Sequence, residues 1–550
     1  MPAVLVPDRA AVDTVSVDET GRDGAGADLP IGVIAALAGA SALAVLVANL
    51  GGIAVGDDGV GYTAIADSLL AGDGLRYFLE DPLTVWPPLW PALMALVARV
   101  TSLDPQGAAV VLNALVSATA VVVGWRVLRR FVPDRRLVLA GTVVVALGSS
   151  TIGFGHLLMT DLAFAVVCLM WILALSNHWD GGRRGPTWLL VAVGLVWLGF
   201  SLRYVAVVLV PTGAIWLLAD GRHRWGRRIA TTAAYTVGAS VVPVAWVVRN
   251  LAADGTALGP RYSSARGLVQ NASDIVATIG RFALPGVANG RERLWAAVAV
   301  IGMVAAVALA WRLLRATAAD RGTSPRRVWL DTMAGPFGLL VLTPVLYLAY
   351  MLYIRSTTAL NQLDLRLLEP AYLPLVVLGL ALVARARRIP PVGASPWWRV
   401  GIVAVWVWAV ANVAAGLLAV VLFATGDPYF EGNYSADTFD RVRASAALDL
   451  LPEGCVDSSN LPNALYPELE AEWSPRRTGL ESDEPVDDLD LLVDDLARGA
   501  RHCLVWVDTA PRYGHLWSRD QLAERLMLRE LGRDDVVTVY ELEPSVPPAG

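Results

Sequence analysis

Eleven stretches of this chain are apolar for long enough to cross about 30 Å of hydrocarbon, and that feature alone rules out a water-soluble fold. The first starts at Pro30, and the others lie near 107–125, 137–155, 159–176, 187–202, 204–219, 229–248, 294–313, 335–354, 369–384 and 400–423. A segment inside a bilayer must satisfy its own backbone hydrogen bonds, so the expected fold is a polytopic α-helical membrane body of about 11 transmembrane helices. Only 17% of the 550 residues are charged, as such a body requires. The first run is too long for a signal-peptide core and no basic stretch precedes it. It reads as an uncleaved span behind a disordered cytoplasmic tail, residues 1–29.

Arginine sets the sidedness. All 44 basic residues are arginine, which excludes Schiff-base lysines and lysine-dependent nucleotide loops. They cluster in alternate connections: Arg126 to Arg136, Arg183 and Arg184, Arg222 to Arg228, Arg312 to Arg327, and Arg385 to Arg388. By the positive-inside rule these face the cytoplasm. The stretch from Trp86 to Ala98 carries three prolines and reaches only about 20 Å as a helix, so it reads as interfacial. Counting it as a span would move the amino terminus outside. With eleven spans the amino terminus is inside a cell membrane, and two segments lie outside: a first loop, 56–106, and a domain, 426–550, beyond the membrane body, 30–425.

That last domain is acidic. From residue 424 onward 11 Arg oppose 26 Asp and Glu, whereas 33 Arg oppose 24 acids before it. Its pattern gives a helix near 436–451, a strand at Cys455–Asp457, a helix near 487–498 and a strand at Cys503–Asp508. A helix at 519–531, started by the Ser518/Gln521 capping box, and a strand at Val536–Leu542 follow. Alternation of this kind predicts a soluble α/β domain. Cys455 and Cys503 are the two cysteines of this domain, and an outside location permits them to pair.

Several clusters carry potential chemistry. Asp57 and Asp58, between Gly56 and Gly59, place paired carboxylates beside the first span; they are either bases at the membrane surface or caps of a helix from Tyr62 to Leu70. Asp161 after Thr160 sits at the outer end of the fourth span, with His156 nearby as a ligand, a proton carrier or a solvated side chain. Arg203, Arg261, Arg266, Arg355 and Arg366 lie on the outer side, against the inside bias. Their forks suit phosphate oxygens, or pair with the local aspartates. Trp86 and Trp90, set among prolines, are either belt residues or sugar-stacking rings.

The order of these clusters resembles the polyprenyl-phosphate-dependent GT-C glycosyltransferases, the group that holds protein O-mannosyltransferases and aminoarabinose transferases. The likeness rests on Asp57-Asp58-x-x-x-Tyr62 with Gly72-x-Gly74, then Trp86-Pro87-Pro88-Leu89-Trp90-Pro91, Thr160-Asp161, Ser201-Leu202-Arg203-Tyr204, and Asp364-x-Arg366-x-x-x-Pro370-x-x-x-Pro374. Leu451-Pro452 and Ser459-Asn460-x-Pro462 are similar to the start of the outer domain in relatives. Leu367 replaces the usual aromatic residue after the late arginine, and Asp58 stands where many members have Glu.

The resemblance implies a hexosyl- or pentosyltransferase acting on the cell envelope. It takes a lipid-linked sugar from the outer leaflet and passes it, with inversion, to a hydroxyl on a glycan, lipid or protein. Asp57, Asp58 and Asp161 would be catalytic and Arg203 and Arg366 would bind the donor phosphate, while Tyr62, Trp86, His156, Tyr204 and Arg261 would contact donor or acceptor. No cofactor is implied as obligatory, a divalent cation between Asp57 and Asp161 is optional, and no nucleic-acid partner is expected. Two rivals share the basic rim and outer arginines: a lipid-linked sugar flippase, and a non-catalytic envelope assembly factor built around the acidic domain. A flippase would more often carry charges or broken helices inside the membrane.

Overall fold

The computed structural model of the chain describes residues 28–77, 82–181, 184–285, 290–387, 396–425, 437–510 and 512–545; most of the expected amino-terminal tail lies outside them. The helices of the membrane body begin with α1 (Ile31–Ala48), α2 (Asp57–Ala71), α3 (Leu89–Thr101), α4 (Pro105–Phe131), α5 (Arg135–Leu147) and α6 (Ser149–His156). They continue with α7 (Asp161–Asp180), α8 (Gly185–Leu202), α9 (Leu209–Ala219), α10 (Trp225–Asp254) and α11 (Leu268–Ala283). The last are α12 (Glu292–Asp320), α13 (Pro325–Ala334), α14 (Pro336–Thr357), α15 (Leu365–Ala386) and α16 (Pro396–Ala424). Among the described residues, ten segments are long and apolar enough to cross a membrane: α1, α4, α5 with α6, α7, α8, α10, α12, α14, α15 and α16. The eleventh expected span is a 3-10 turn, Tyr204–Val208, continued by α9. It rises only about 26 Å, slightly less than the hydrocarbon thickness.

Contacts sort the helix ends onto two faces. Arg385 donates to the Phe131 carbonyl, Arg130 pairs with Asp180, Arg222 donates to the Trp179 carbonyl and Arg387 pairs with Asp134. Four of the five arginine-rich connections therefore share one face. On the other, Ala54 bridges to Leu157 and Ser263 to Thr358, and the tail domain packs there. Helix α7, buried along most of its length, occupies the middle against α4, α8, α14 and α15. Small residues permit close approach around α5: a side chain on Gly416 would collide with the Leu147 carbonyl, and one on Gly141 would meet Leu128 and Leu380 at 2.8–3.0 Å.

Two features of the membrane body depart from the sequence reading. The third span is broken at Gly148, where the backbone turns extended between α5 and α6, and Thr151 restores one lost bond by donating to the Val145 carbonyl at 2.8 Å. The connection 255–291 contains α11, whose Asn271, Ile275, Thr278 and Phe282 recur at helical spacing and are buried.

The tail domain is the expected α/β layer, with a five-stranded mixed sheet. Its elements are α17 (Asp437–Arg443), β1 (Val456–Ser459), β2 (Glu472–Trp473), α18 (Asp488–Ala497), β3 (His502–Val507), α19 (Arg519–Ala523), β4 (Leu526–Arg533) and β5 (Val537–Pro544), in sheet order β2-β1-β3-β5-β4. β1 runs parallel to β2 and β3, and β5 antiparallel to β3 and β4. Cys455 and Cys503 are joined. The helix expected over 519–531 stops at Ala523: its capping box is real, but Leu526 to Arg533 form β4 instead. Strong helix formers disguised a hairpin in which β4 pairs with β5 and a bulge between Glu530 and Gly532 shifts the register. The helix expected over 436–451 is likewise short, giving way after Arg443 to a 3-10 turn at Leu448–Leu450.

The domain is tied down by charge. Arg355, fully buried at the end of α14, donates to Ser264 at 3.1 Å and to Glu481 of the tail at 3.2 Å, while Arg266 reaches Asp274 and Glu481.

Candidate active site

The turn after α1 is fixed to the segment just before α7 by a backbone bridge. Ala54 donates to the His156 carbonyl at 2.8 Å and accepts from Leu158 at 2.9 Å, and Gly59 packs beside the Leu158 carbonyl. This short parallel bridge places the first turn of α2, with Asp57 and Asp58, alongside Asp161, the first residue of α7. Asp57 and Asp58 do not cap a later helix; Gly56 is the N-cap and both aspartates are helical. Carboxylates at helix starts are favoured by the unpaired N–H groups there, and Arg203, which follows the last residue of α8, is favoured by the unpaired carbonyls of that helix end.

Four of these side chains form two ion pairs. Arg203 donates to Asp161 Oδ1 at 2.6 Å, with only 1% of the Asp161 side chain exposed. Arg366, in the first turn of α15, donates to Asp58 Oδ2 at 3.2 Å, and the Trp86 indole donates to Asp58 Oδ1 at 3.3 Å. Asp57 accepts from the Asn463 amide of the tail domain at 3.3 Å. The cluster is not saturated: Asp161 Oδ2 and Arg366 Nε are buried without a hydrogen-bond partner among the described residues. Burial first, and the Asp58 charge second, push the Tyr62 phenol above its ordinary value and keep it protonated beside the cluster.

Trp86 is held by a clamp. The Tyr204 hydroxyl lies 2.8 Å from the Thr84 carbonyl and 3.1 Å from that of Trp86, and accepts from Trp246 at 2.7 Å. Arg249 donates to the Leu83 carbonyl, and Thr84 donates to Asp254 at 2.5 Å. The indole then meets Tyr77 and Tyr62 edge-on, with centroids 5.2 and 6.0 Å apart. Gly61 is required by this approach, since a Cβ there would stand 2.9 Å from two ring atoms of Trp86.

Not every expected residue joins the cluster. His156 is bonded to Asn49 at 3.1 Å and stacked on Phe423 at 4.1 Å, so it packs α6 against α1 and α16. Its ring is buried, and the solvated reading fails with it. Tyr204 serves the clamp, and Arg261 is exposed and donates to the Leu258 carbonyl at 2.7 Å. Two residues were missed. Asn463 lies one position beyond the Ser459-Asn460-x-Pro462 motif, and Glu369 stands inside the Arg366 to Pro374 element, fully buried and accepting from Ser150 at 2.7 Å. A carboxyl group within an apolar span was the signal for Glu369.

Comparison with known proteins shows which folds this chain resembles. The family model for dolichyl-phosphate-mannose-protein mannosyltransferases matches residues 85–247, which include Trp86, Asp161, Arg203 and Tyr204. No curated protein matches the chain. Among solved structures, ArnT from Cupriavidus metallidurans in the apo state is similar with a TM-score of 0.58 and 13% identity, covering 93% of this chain and 98% of that one. The same protein bound to undecaprenyl phosphate gives 0.56 and 14% over the same shares. The oligosaccharyltransferase AglB from Archaeoglobus fulgidus, in complex with an inhibitory peptide and a dolichol-phosphate, gives 0.51 and 11%, covering 86% and 69%.

Proposed function

We propose that this chain, which has the GT-C fold of membrane glycosyltransferases, moves a sugar from a polyprenyl-phosphate donor to an acceptor hydroxyl on the extracytoplasmic face, with inversion. The observation that carries the reading is the incomplete cluster. A buried guanidinium nitrogen and a buried carboxylate oxygen without partners each cost about 1–3 kcal/mol, and such groups mark a place that a polar ligand completes. ArnT and AglB were solved with undecaprenyl phosphate and dolichol-phosphate, which supports a lipid phosphate as that ligand.

The roles follow from position. Arg366 and Arg203 hold the donor phosphate and stabilise the charge it gains as the sugar–phosphate bond breaks. Asp57, which faces the tail domain through Asn463, takes the proton from the acceptor hydroxyl as its oxygen bonds to the anomeric carbon. Attack from the side opposite the phosphate inverts that carbon. Asp58 fixes Arg366 and Trp86, and Asp161 fixes Arg203. The Oδ2 of Asp161, unpartnered among the described residues, is the group that would hold a divalent cation, which would supply additional positive charge at the phosphate.

One observation favours a flippase as the second reading: the broken span at Gly148 and Glu369 beside it are features of transport pathways. Donor consumption separates the two. Purified protein in nanodiscs is given polyprenyl-phosphate sugars and an acceptor extract, and released polyprenyl phosphate is measured by mass spectrometry with Asp57→Asn and Asp58→Asn alongside. Release by wild type that Asp57→Asn abolishes supports transfer. Leaflet exchange of an unconsumed donor, equal in both variants, would establish the flippase.

A further inference from the structure

A cavity of about 460 Å³ lies between the membrane body and the tail domain, beside the turn that carries Asp57. Val55 and Val60 flank that turn and form one wall. Thr63 and Asp67 of α2, Gln106 at the start of α4, and Asn463 and Tyr466 of the tail form the others. The two bodies close on it through side chains: Tyr466 donates to Asp67 at 2.5 Å, and Asn463 donates to Asp57. Asn463 is 95% buried and its Oδ1, the other end of the same amide, has no hydrogen-bond partner among the described residues. An amide that grips Asp57 with one atom and offers an unfilled acceptor with the other is placed to receive a hydroxyl beside the base.

The walls also carry sign. Asp67, Asp104 and Asp440 line the cavity against a single guanidinium, Arg443. That cation is already paired with Asp440 and lies 3.9 Å from Glu468. A phosphate or carboxylate entering here would meet net repulsion, whereas hydroxyl groups find acceptors on every side. The volume suits a small polar unit rather than a folded partner.

We infer that this cavity is the acceptor subsite and that it admits an uncharged saccharide unit. The inference rests on the transferase reading above and adds the acceptor's chemistry to it. Acceptor glycans from the source envelope are separated on an anion exchanger into neutral and anionic fractions, and each is supplied with donor lipids to the full-length protein in nanodiscs. Gln106→Trp fills the cavity from the partly exposed first turn of α4, and Leu103→Trp adds the same bulk at an exposed position outside it.

The neutral fraction should drive release of polyprenyl phosphate. Gln106→Trp should raise the acceptor KM by about tenfold or more against an unchanged Leu103→Trp, the equivalent of about 1.4 kcal/mol of lost binding. Asp104→Ser keeps the cap of α4 while removing charge, and should let the anionic fraction compete. Preference of the wild type for the anionic fraction, or an acceptor KM indifferent to Gln106→Trp, overturns the inference and leaves the transferase standing. Absence of donor consumption with any fraction removes the transferase reading and this inference with it.

Discussion

Asp161 and Arg203 give a sharp test, because the same pair should behave oppositely in stability and in activity. Their contact is 2.6 Å long and leaves 1% and 17% of the two side chains exposed. Removing one member of a buried pair strands the other charge and costs about 3–5 kcal/mol; an asparagine that keeps one acceptor should sit near 3 kcal/mol. Arg203→Gln strands Asp161 by a similar amount. In the double variant neither charge is left alone, so the losses should fall short of additivity by about 2 kcal/mol or more. Equilibrium unfolding of all four proteins in mixed micelles measures this coupling. Donor cleavage should show no such rescue: loss of an electrostatic stabiliser costs about 100-fold or more in rate, and the double variant still lacks Arg203. Additive losses within about 0.5 kcal/mol would refute the buried pair, and recovery of cleavage in the double variant would refute the role of Arg203 at the phosphate.

Further outcomes follow from single contacts. Gly61→Ala should displace the Trp86 ring and weaken its bond to Asp58, lowering donor cleavage by about tenfold, with altered tryptophan emission as the structural check. Replacing both Cys455 and Cys503 by serine opens a loop of sequence separation 48, worth about 4 kcal/mol by chain entropy, and should make tail-domain melting insensitive to reductant. Burial pushes the Asp457 carboxyl up to about 6, so the folded tail domain holds that proton more tightly than the unfolded chain does. Its contribution to stability is present below about pH 4 and lost as pH rises through about 6. Asp457→Asn should flatten that part of the pH profile in thermal melts.

Much of this arrangement was legible in sequence, because membrane spans announce themselves by length and apolarity. Asp57, Asp58, Asp161, Arg203 and Arg366 fall at helix ends on one face, a placement that hydropathy and arginine counting already imply. Pairing was not legible. Nothing in the linear pattern assigns Arg203 to Asp161 and Arg366 to Asp58, since partners 42 and 308 positions apart are chosen by packing around α7. In sequence His156 is open to three readings, a ligand, a proton carrier or a solvated side chain, and its three-dimensional neighbours make it a packing residue instead. The strand β4 was hidden for a different reason. Leu526 to Arg533 contain residues that favour helices when isolated, and pairing with β5 overrides that preference. Asn463 could not be foreseen, as its importance arises only where the tail domain docks on α2.

The most direct measurement of the central claim is the position of the phosphate in a cryo-electron-microscopy map of the protein in nanodiscs with a polyprenyl phosphate. The account predicts phosphate density against Arg366 Nε and the Arg203 guanidinium, on the face that carries the tail domain, and loss of that density in Arg366→Met. Phosphate bound instead at the arginine-rich ends of the helices, with the Asp58–Arg366 pair unchanged, would contradict it.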